Sequence, residues 1–150
     1  MKFKFIWVGK TRDANWRALQ DEYLKRLSHF VKYEIVEVKD AQGANSIDLE
    51  GNELLAKLNP SSFVTLLDAK GQQVSSHELA AKVEDWHKTA KKEIVFVIGG
   101  AKGASPRVAE RADIKLSLSF LTFTHETARV ILIEQLYRAF TIIKGFPYQK

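Results

Sequence analysis

The spacing of hydrophobic and polar positions changes period several times along the chain. Lys2-Phe-Lys-Phe-Ile-Trp-Val8 alternates charge with apolar residues and then turns wholly apolar, which predicts a strand. Trp16, Leu19, Tyr23 and Leu27 recur at helical spacing, with Asn15 read as the N-cap. Tyr33 to Val38 is β-branched and interleaved with charge, a second strand. Gly, Asn and Ser mark Ala41 to Ser46 as a loop, and Ile47 to Leu58 predicts a helix halted by Asn59-Pro60.

Phe63 to Leu67 predicts a third strand, running into Asp68-Ala-Lys-Gly71, a turn signal. Ser75 and Glu78 have the spacing of a capping box at the head of a helix through Leu79, Val83 and Trp86. Ile94-Val-Phe-Val-Ile98, inside the strand Glu93 to Ile98, shows no alternation, as a central strand buried on both faces requires. After Gly99-Gly-Ala-Lys-Gly103, Ser105-Pro106 is an N-cap and first-turn pair opening a helix to about Ala112. Ile114 to Leu118 is a short strand and Ser119 to Thr124 a loop. Glu126 to Lys144 is a long helix closed by Gly145. Strands alternate with helices throughout, so the expected fold class is α/β with a largely parallel sheet flanked by helices, in one domain over residues 1–150.

Composition narrows the chemistry. The chain has 150 residues, 45% hydrophobic and 27% charged, and no cysteine. That removes disulfide frameworks, thiolate zinc sites and cysteine nucleophiles, and four His without an H-x-x-x-H spacing give no reason to expect a metal. No window is apolar enough to span a bilayer and no leader pattern follows Met1 to Val8, so a cytoplasmic location with no membrane partner is expected. A net charge of +5 points weakly to a polyanionic partner.

In an open α/β sheet, ligands bind outside the carboxyl ends of the strands. Three such ends stand out: Leu67-Asp68, Ile98-Gly99-Gly100, and Leu118-Ser119 onward. The Gly-Gly-x-x-Gly after a buried strand lets backbone approach a ligand or make a tight turn, but it has neither the dinucleotide spacing nor the Lys-Ser/Thr of a P-loop. On composition alone, His125 beside a Ser/Thr-rich loop is a capping or core hydrogen-bonder. Arg129 and Arg138 read as surface or salt-bridged residues, with Glu126 and Glu134 as local partners. The last helix is apolar over an arc wider than one packed face needs, which suggests burial against its own sheet and another subunit.

Taken together, Phe96-Val-Ile-Gly-Gly-Ala-Lys-Gly103, Leu116-Ser-Leu-Ser119, Leu121-Thr-Phe-Thr-His125, Arg129-Val-Ile-Leu-Ile-Glu-Gln-Leu-Tyr-Arg-Ala139 and Pro147-Tyr148 resemble the ribosomal RNA large subunit methyltransferase H family of knotted SPOUT methyltransferases. Met1 to Lys10, Tyr23-Leu-Lys-Arg-Leu27 and Leu67-Asp-Ala-Lys-Gly71 extend the resemblance over essentially the whole chain. It implies a homodimer with a C-terminal trefoil knot and S-adenosylmethionine as cofactor. The implied substrate is a pseudouridine of 23S rRNA, methylated at N3 in the ribosome. Carried over by position, the cofactor contacts would be Leu67, Gly99, Leu118, Ser119, Phe120, Leu121, Thr122 and Phe123. Arg138, Tyr148 and His125 would stand near the target base, with Arg138 steadying negative charge, Tyr148 stacking on or hydrogen-bonding the base, and His125 relaying a proton or orienting the loop. Lys10, Arg12, Lys102, Arg107, Arg129 and Lys150 are the candidate RNA contacts.

The chain departs from the family's pattern at Thr124, where Pro is usual, and at Gln149, where His is usual. A neutral amide cannot accept a proton as imidazole can. A non-catalytic RNA-binding module of the same fold, or a methyltransferase acting on tRNA, therefore stands as an alternative reading.

Overall fold

Helices and strands alternate in the order β1 (Lys2–Val8), α1 (Ala14–Leu27), β2 (Lys32–Val38), α2 (Ser46–Ala56), β3 (Phe63–Gln73), α3 (Ser76–Lys88), β4 (Glu93–Ile98), α4 (Pro106–Arg111), β5 (Ile114–Ser117) and α5 (His125–Lys144). The computed structural model describes residues 1–148. All strand pairs are parallel, in the order β2-β1-β4-β3-β5. The α/β class with a parallel sheet flanked by helices is as the periodicity indicates.

Two cores follow from the pleat, which sends successive side chains to opposite faces. Phe3, Phe5 and Trp7 of β1 join Ile94, Phe96 and Ile98 of β4 on one face, under α1, α3 and α5. Ile6 and Val8 join Val95 and Val97, with Val64 and Leu66 of β3, on the other face, under α2 and α4. β4 is thus apolar on both sides because both sides are covered, which explains its lack of alternation. Part of the wide apolar arc of α5 is buried within the chain, where Leu132, Ile133, Leu136 and Ala139 enter the first core, while Ile131, Ile142 and Ile143 are only half-buried.

Three expectations change. The N-cap of α1 is Asp13, not Asn15: its extended backbone lets the carboxylate accept the N–H groups of Asn15 (2.8 Å) and Trp16 (3.1 Å), so the helix starts earlier. The turn expected at Asp68–Gly71 lies inside β3. Leu67 and Gln72 both pair with Leu116 of β5, so the intervening residues bulge out while the strand continues. The turn chemistry is real, since Asp68 Oδ1 accepts the Lys70 N–H at 2.9 Å, but it shapes a bulge rather than an exit.

The third correction is Arg129. It is neither a surface residue nor an RNA contact; it is 0% exposed. Its guanidinium donates to the Val8 carbonyl (2.6 Å) and to Thr11 Oγ1 (2.9 Å), and lies 4.7 Å from the Trp7 ring centre. Thr11 in turn donates to buried Gln20 of α1 at 2.6 Å. One cation therefore ties the end of β1, the β1–α1 loop and α5 together. Burial pulls its pKa down to about 10, with Glu126, Glu37 and Asp40 opposing that, so it stays charged at neutral pH. Removing it would strand a buried carbonyl and leave a cavity. Arg129→Ala is expected to lower the unfolding free energy by about 3 kcal/mol in denaturant titration.

Candidate active site

The bulge of β3, the loop after β4 and the loop after β5 emerge side by side at the carboxyl edge of the sheet. Together they enclose a cleft of about 610 Å³, within the usual size range for small-molecule sites. Its walls are Leu67 to Ala69, Ile98 to Ala101 with Gly103 and Ala104, and Leu116 to Thr124 in part, with His125 and Ala128 of α5 at one end. Ser117 Oγ donates to the Ala69 carbonyl at 2.9 Å, fastening β5 to the bulge. Ser119 Oγ accepts the Leu121 N–H at 3.0 Å and shapes the last loop.

The loop after β4 folds tightly on itself: the Gly103 N–H reaches the Gly100 carbonyl at 2.9 Å. A β-carbon on Gly99 would stand 2.7 Å from the Gly103 carbonyl carbon, so only glycine fits there. Among the described residues, Asp68 is the one carboxylate lining the cleft and no Lys or Arg lines it. A phosphate-rich ligand would find no countercharge. A cationic, phosphate-free ligand held by backbone and apolar side chains would.

Of the residues expected to hold a cofactor, Leu67, Gly99, Leu118, Ser119, Leu121, Thr122 and Phe123 all line this cleft. Phe120 does not, and is 71% exposed. His125 opens α5 at the mouth of the cleft, with Thr124 as N-cap accepting the Thr127 N–H at 3.3 Å. Arg138 and Tyr148 lie elsewhere. Arg138 is about 20 Å further along α5 from His125 at 1.5 Å per residue. There it pairs with Glu134, and its guanidinium lies 5.0 Å from the Tyr148 ring centre. The Tyr148 hydroxyl donates to Glu134 Oε1 at 3.0 Å, with the Tyr23 hydroxyl at 3.5 Å. Burial foremost, then these hydrogen bonds, raise its pKa above the usual phenol range. Lys10, Arg12, Lys102 and Arg107 are exposed. Gln149 and Lys150 lie outside the described residues.

A family model described as "Predicted SPOUT methyltransferase" matches residues 1–149. The chain is 44% identical over 152 residues to a protein of Gloeobacter violaceus, covering 99% of this chain and 98% of the relative. It is 42% identical over 153 residues to one of Desulfotalea psychrophila and 40% identical over 159 residues to one of Carboxydothermus hydrogenoformans, each with full coverage of both chains. All three relatives are named Ribosomal RNA large subunit methyltransferase H. The chain belongs to the SPOUT methyltransferases, in the ribosomal RNA large subunit methyltransferase H family. The C-terminal knot expected above follows from that membership.

Sequence reasoning named Asp68 and Gly100 only as strand ends and missed Ala101 and Ala104 as walls of this cleft. The strand-end signals at Leu67-Asp68 and Ile98-Gly99-Gly100 pointed there, but the bulge that turns Asp68 and Ala69 toward the cleft has no distinct pattern. It also missed Glu126, whose Oε1 accepts the Arg12 and Asp13 N–H groups and pins the β1–α1 loop to the first turn of α5. In this methyltransferase the position of His125 depends on that pin. Glu126→Ala is expected to speed hydrogen exchange at the Arg12 and Asp13 amides about tenfold, with core amides unchanged.

Proposed function

We propose that this chain transfers the methyl group of S-adenosylmethionine to RNA of the large ribosomal subunit, at N3 of a pseudouridine, working as a cytoplasmic homodimer. The observation that carries the proposal is the cation-free cleft walled by glycine backbone and the loops after β3, β4 and β5. Full-length relatives bearing a ribosomal RNA methyltransferase name supply the acceptor.

Bound in the cleft, S-adenosylmethionine would supply an electrophilic methyl group on a sulfonium. The protein's task is then positioning and control of charge. Asp68 favours a cationic ligand, while the backbone of Gly99 to Gly103 and of Leu118 to Phe123 fixes its orientation. The acceptor nitrogen must lose a proton. His125, at the cleft mouth, is placed to relay it, a task that Gln149 cannot perform. The anion left on the base calls for a fixed cation, and Arg138 is planar and permanently charged. Tyr148 offers an aromatic face and a hydroxyl for the same base.

Within one chain Arg138 and Tyr148 lie too far from the cleft to act there, so the set is complete only if a second copy brings them. Phe120 and Leu121, at 71% and 74% exposed beside the cleft, and Phe146 beside the tail offer apolar surface for that pairing. No helix among the described residues is long and apolar enough to cross a membrane.

The test is mass spectrometry of rRNA and tRNA from a deletion strain, with and without complementation. Loss of a methylated pseudouridine fragment from 23S rRNA, restored by the wild-type gene, is the expected result. Unchanged rRNA, or loss confined to tRNA, would contradict the proposal. Gly99→Val is expected to fail in complementation and to bind S-adenosylmethionine more than about tenfold more weakly by calorimetry, because its side chain would collide with the Gly103 backbone.

A further inference from the structure

The chain's connections part between β1 and β4. The segment after β1 leads to α1, on the face of the first core, whereas that after β4 leads to α4, on the face of the second. A crevice opens outside the strand ends at such a point, and open α/β sheets bind ligands there. Here it is a second cavity of about 430 Å³, joined to the donor cleft through Ala101 and His125, which line both. Its lining is far more charged than the cleft's. Lys10, Arg12 and Lys102 stand exposed around it, with Asp40 paired to Arg12, Glu126 turned to the Arg12 and Asp13 N–H groups, and Glu50 of α2 inside.

Glu50 is the unexplained group. It is 8% exposed, yet makes no ion pair among the described residues. Its Oε2 accepts the Ala41 N–H at 3.1 Å. Its Oε1 lies behind Gly100, where an added β-carbon would come within 2.9 Å of it. Among the described residues nothing donates to its Oε1, so that oxygen is free to accept an N–H from a ligand seated in the crevice.

We infer that this crevice seats an RNA nucleotide next to the methylated one, with Glu50 accepting an N–H of its base and Lys10, Arg12 and Lys102 holding phosphates on either side. A bare phosphate group would bring no donor for Glu50, and a cationic metabolite would leave Lys10 and Lys102, which make no ion pair among the described residues, without a counterion. A nucleotide carries both complements, a donor edge on the base and negative charge on the backbone. The Arg12 contact with Asp40, 3.4 Å and largely in solvent, is weak enough to exchange for a phosphate.

The inference rests on the RNA methyltransferase reading above, and Glu50→Gln tests it separately. Glutamine can keep the Ala41 bond through its carbonyl but turns an N–H₂ group toward the crevice, where a base donor would meet a donor. The measurements are KM for large ribosomal subunits from the deletion strain, calorimetric affinity for S-adenosylmethionine, co-sedimentation with those subunits, and melting temperature. KM is expected to rise about tenfold and sedimentation to weaken, with donor affinity unchanged and melting temperature equal or higher. Charge reversal of Lys10, Arg12 and Lys102 together is expected to weaken sedimentation and flatten its salt dependence. An unchanged KM, or a joint loss of stability, donor binding and activity, would overturn the inference by making Glu50 inert or merely structural. A wild-type protein that binds the donor but methylates no ribosomal RNA would count against the proposed activity. Equal sedimentation of wild type and Glu50→Gln would count against the crevice in either case.

Discussion

Gly99 follows β4 at a point where a β-carbon would press into the backbone of Gly103, and the carboxyl edge of the sheet is arranged around that close approach. β4 lies in the middle of the sheet with both faces covered, so its chain can turn only at the carboxyl edge, between its neighbours' ends. There it folds back within four residues and presents backbone rather than side chains. The bulge of β3 and the Ser117 to Ala69 bond bring the second wall to meet it, and the loop before α5 supplies the third. A shallow sheet edge becomes an enclosed cleft because the middle strand's exit is this tight.

The sheet edge divides electrically into two regions. Among the described residues the cleft over β3, β4 and β5 carries one carboxylate and no Lys or Arg, while the crevice over β1 and β4 is ringed by three exposed cations with Asp40, Glu126 and the more deeply set Glu50 among them. α5 begins between them, with His125 lining both. The start of α5 is held by the buried hydrogen bonds of Arg129 and by the exposed ones of Glu126, so the histidine's place is set by bonds to the end of β1 and the β1–α1 segment. Methyl transfer needs fixed geometry of that kind.

Periodicity showed the elements well because burial dictates it. The unbroken apolar run of β4, the alternating start of β1 and the capping box at Ser75 each have one physical meaning, and the structure honours it. The cleft walls were legible as strand ends followed by small residues. Arg129 was not: nothing local distinguishes an arginine bound for the interior from one bound for solvent, since its partners, Val8 and Thr11, are more than a hundred positions away. Asp68 to Gly71 misled for a related reason, because a turn signal does not say whether pairing resumes beyond it. Glu50 was invisible for the same cause, its significance lying in the absence of a countercharge.

Arg138 and Tyr148 form one cluster with Glu134 and Tyr23, a helix length away from the cleft, and this separation makes the assembly the central question. The direct measurement is activity of mixed dimers, made by co-expressing a Gly99→Val chain with an Arg138→Ala chain, neither active alone. If the cleft of one copy works with the arginine of the other, mixing restores up to about a quarter of wild-type rRNA methylation, since half the dimers are then mixed and each holds one intact pair. No recovery in purified mixed dimers that still bind S-adenosylmethionine would contradict the account.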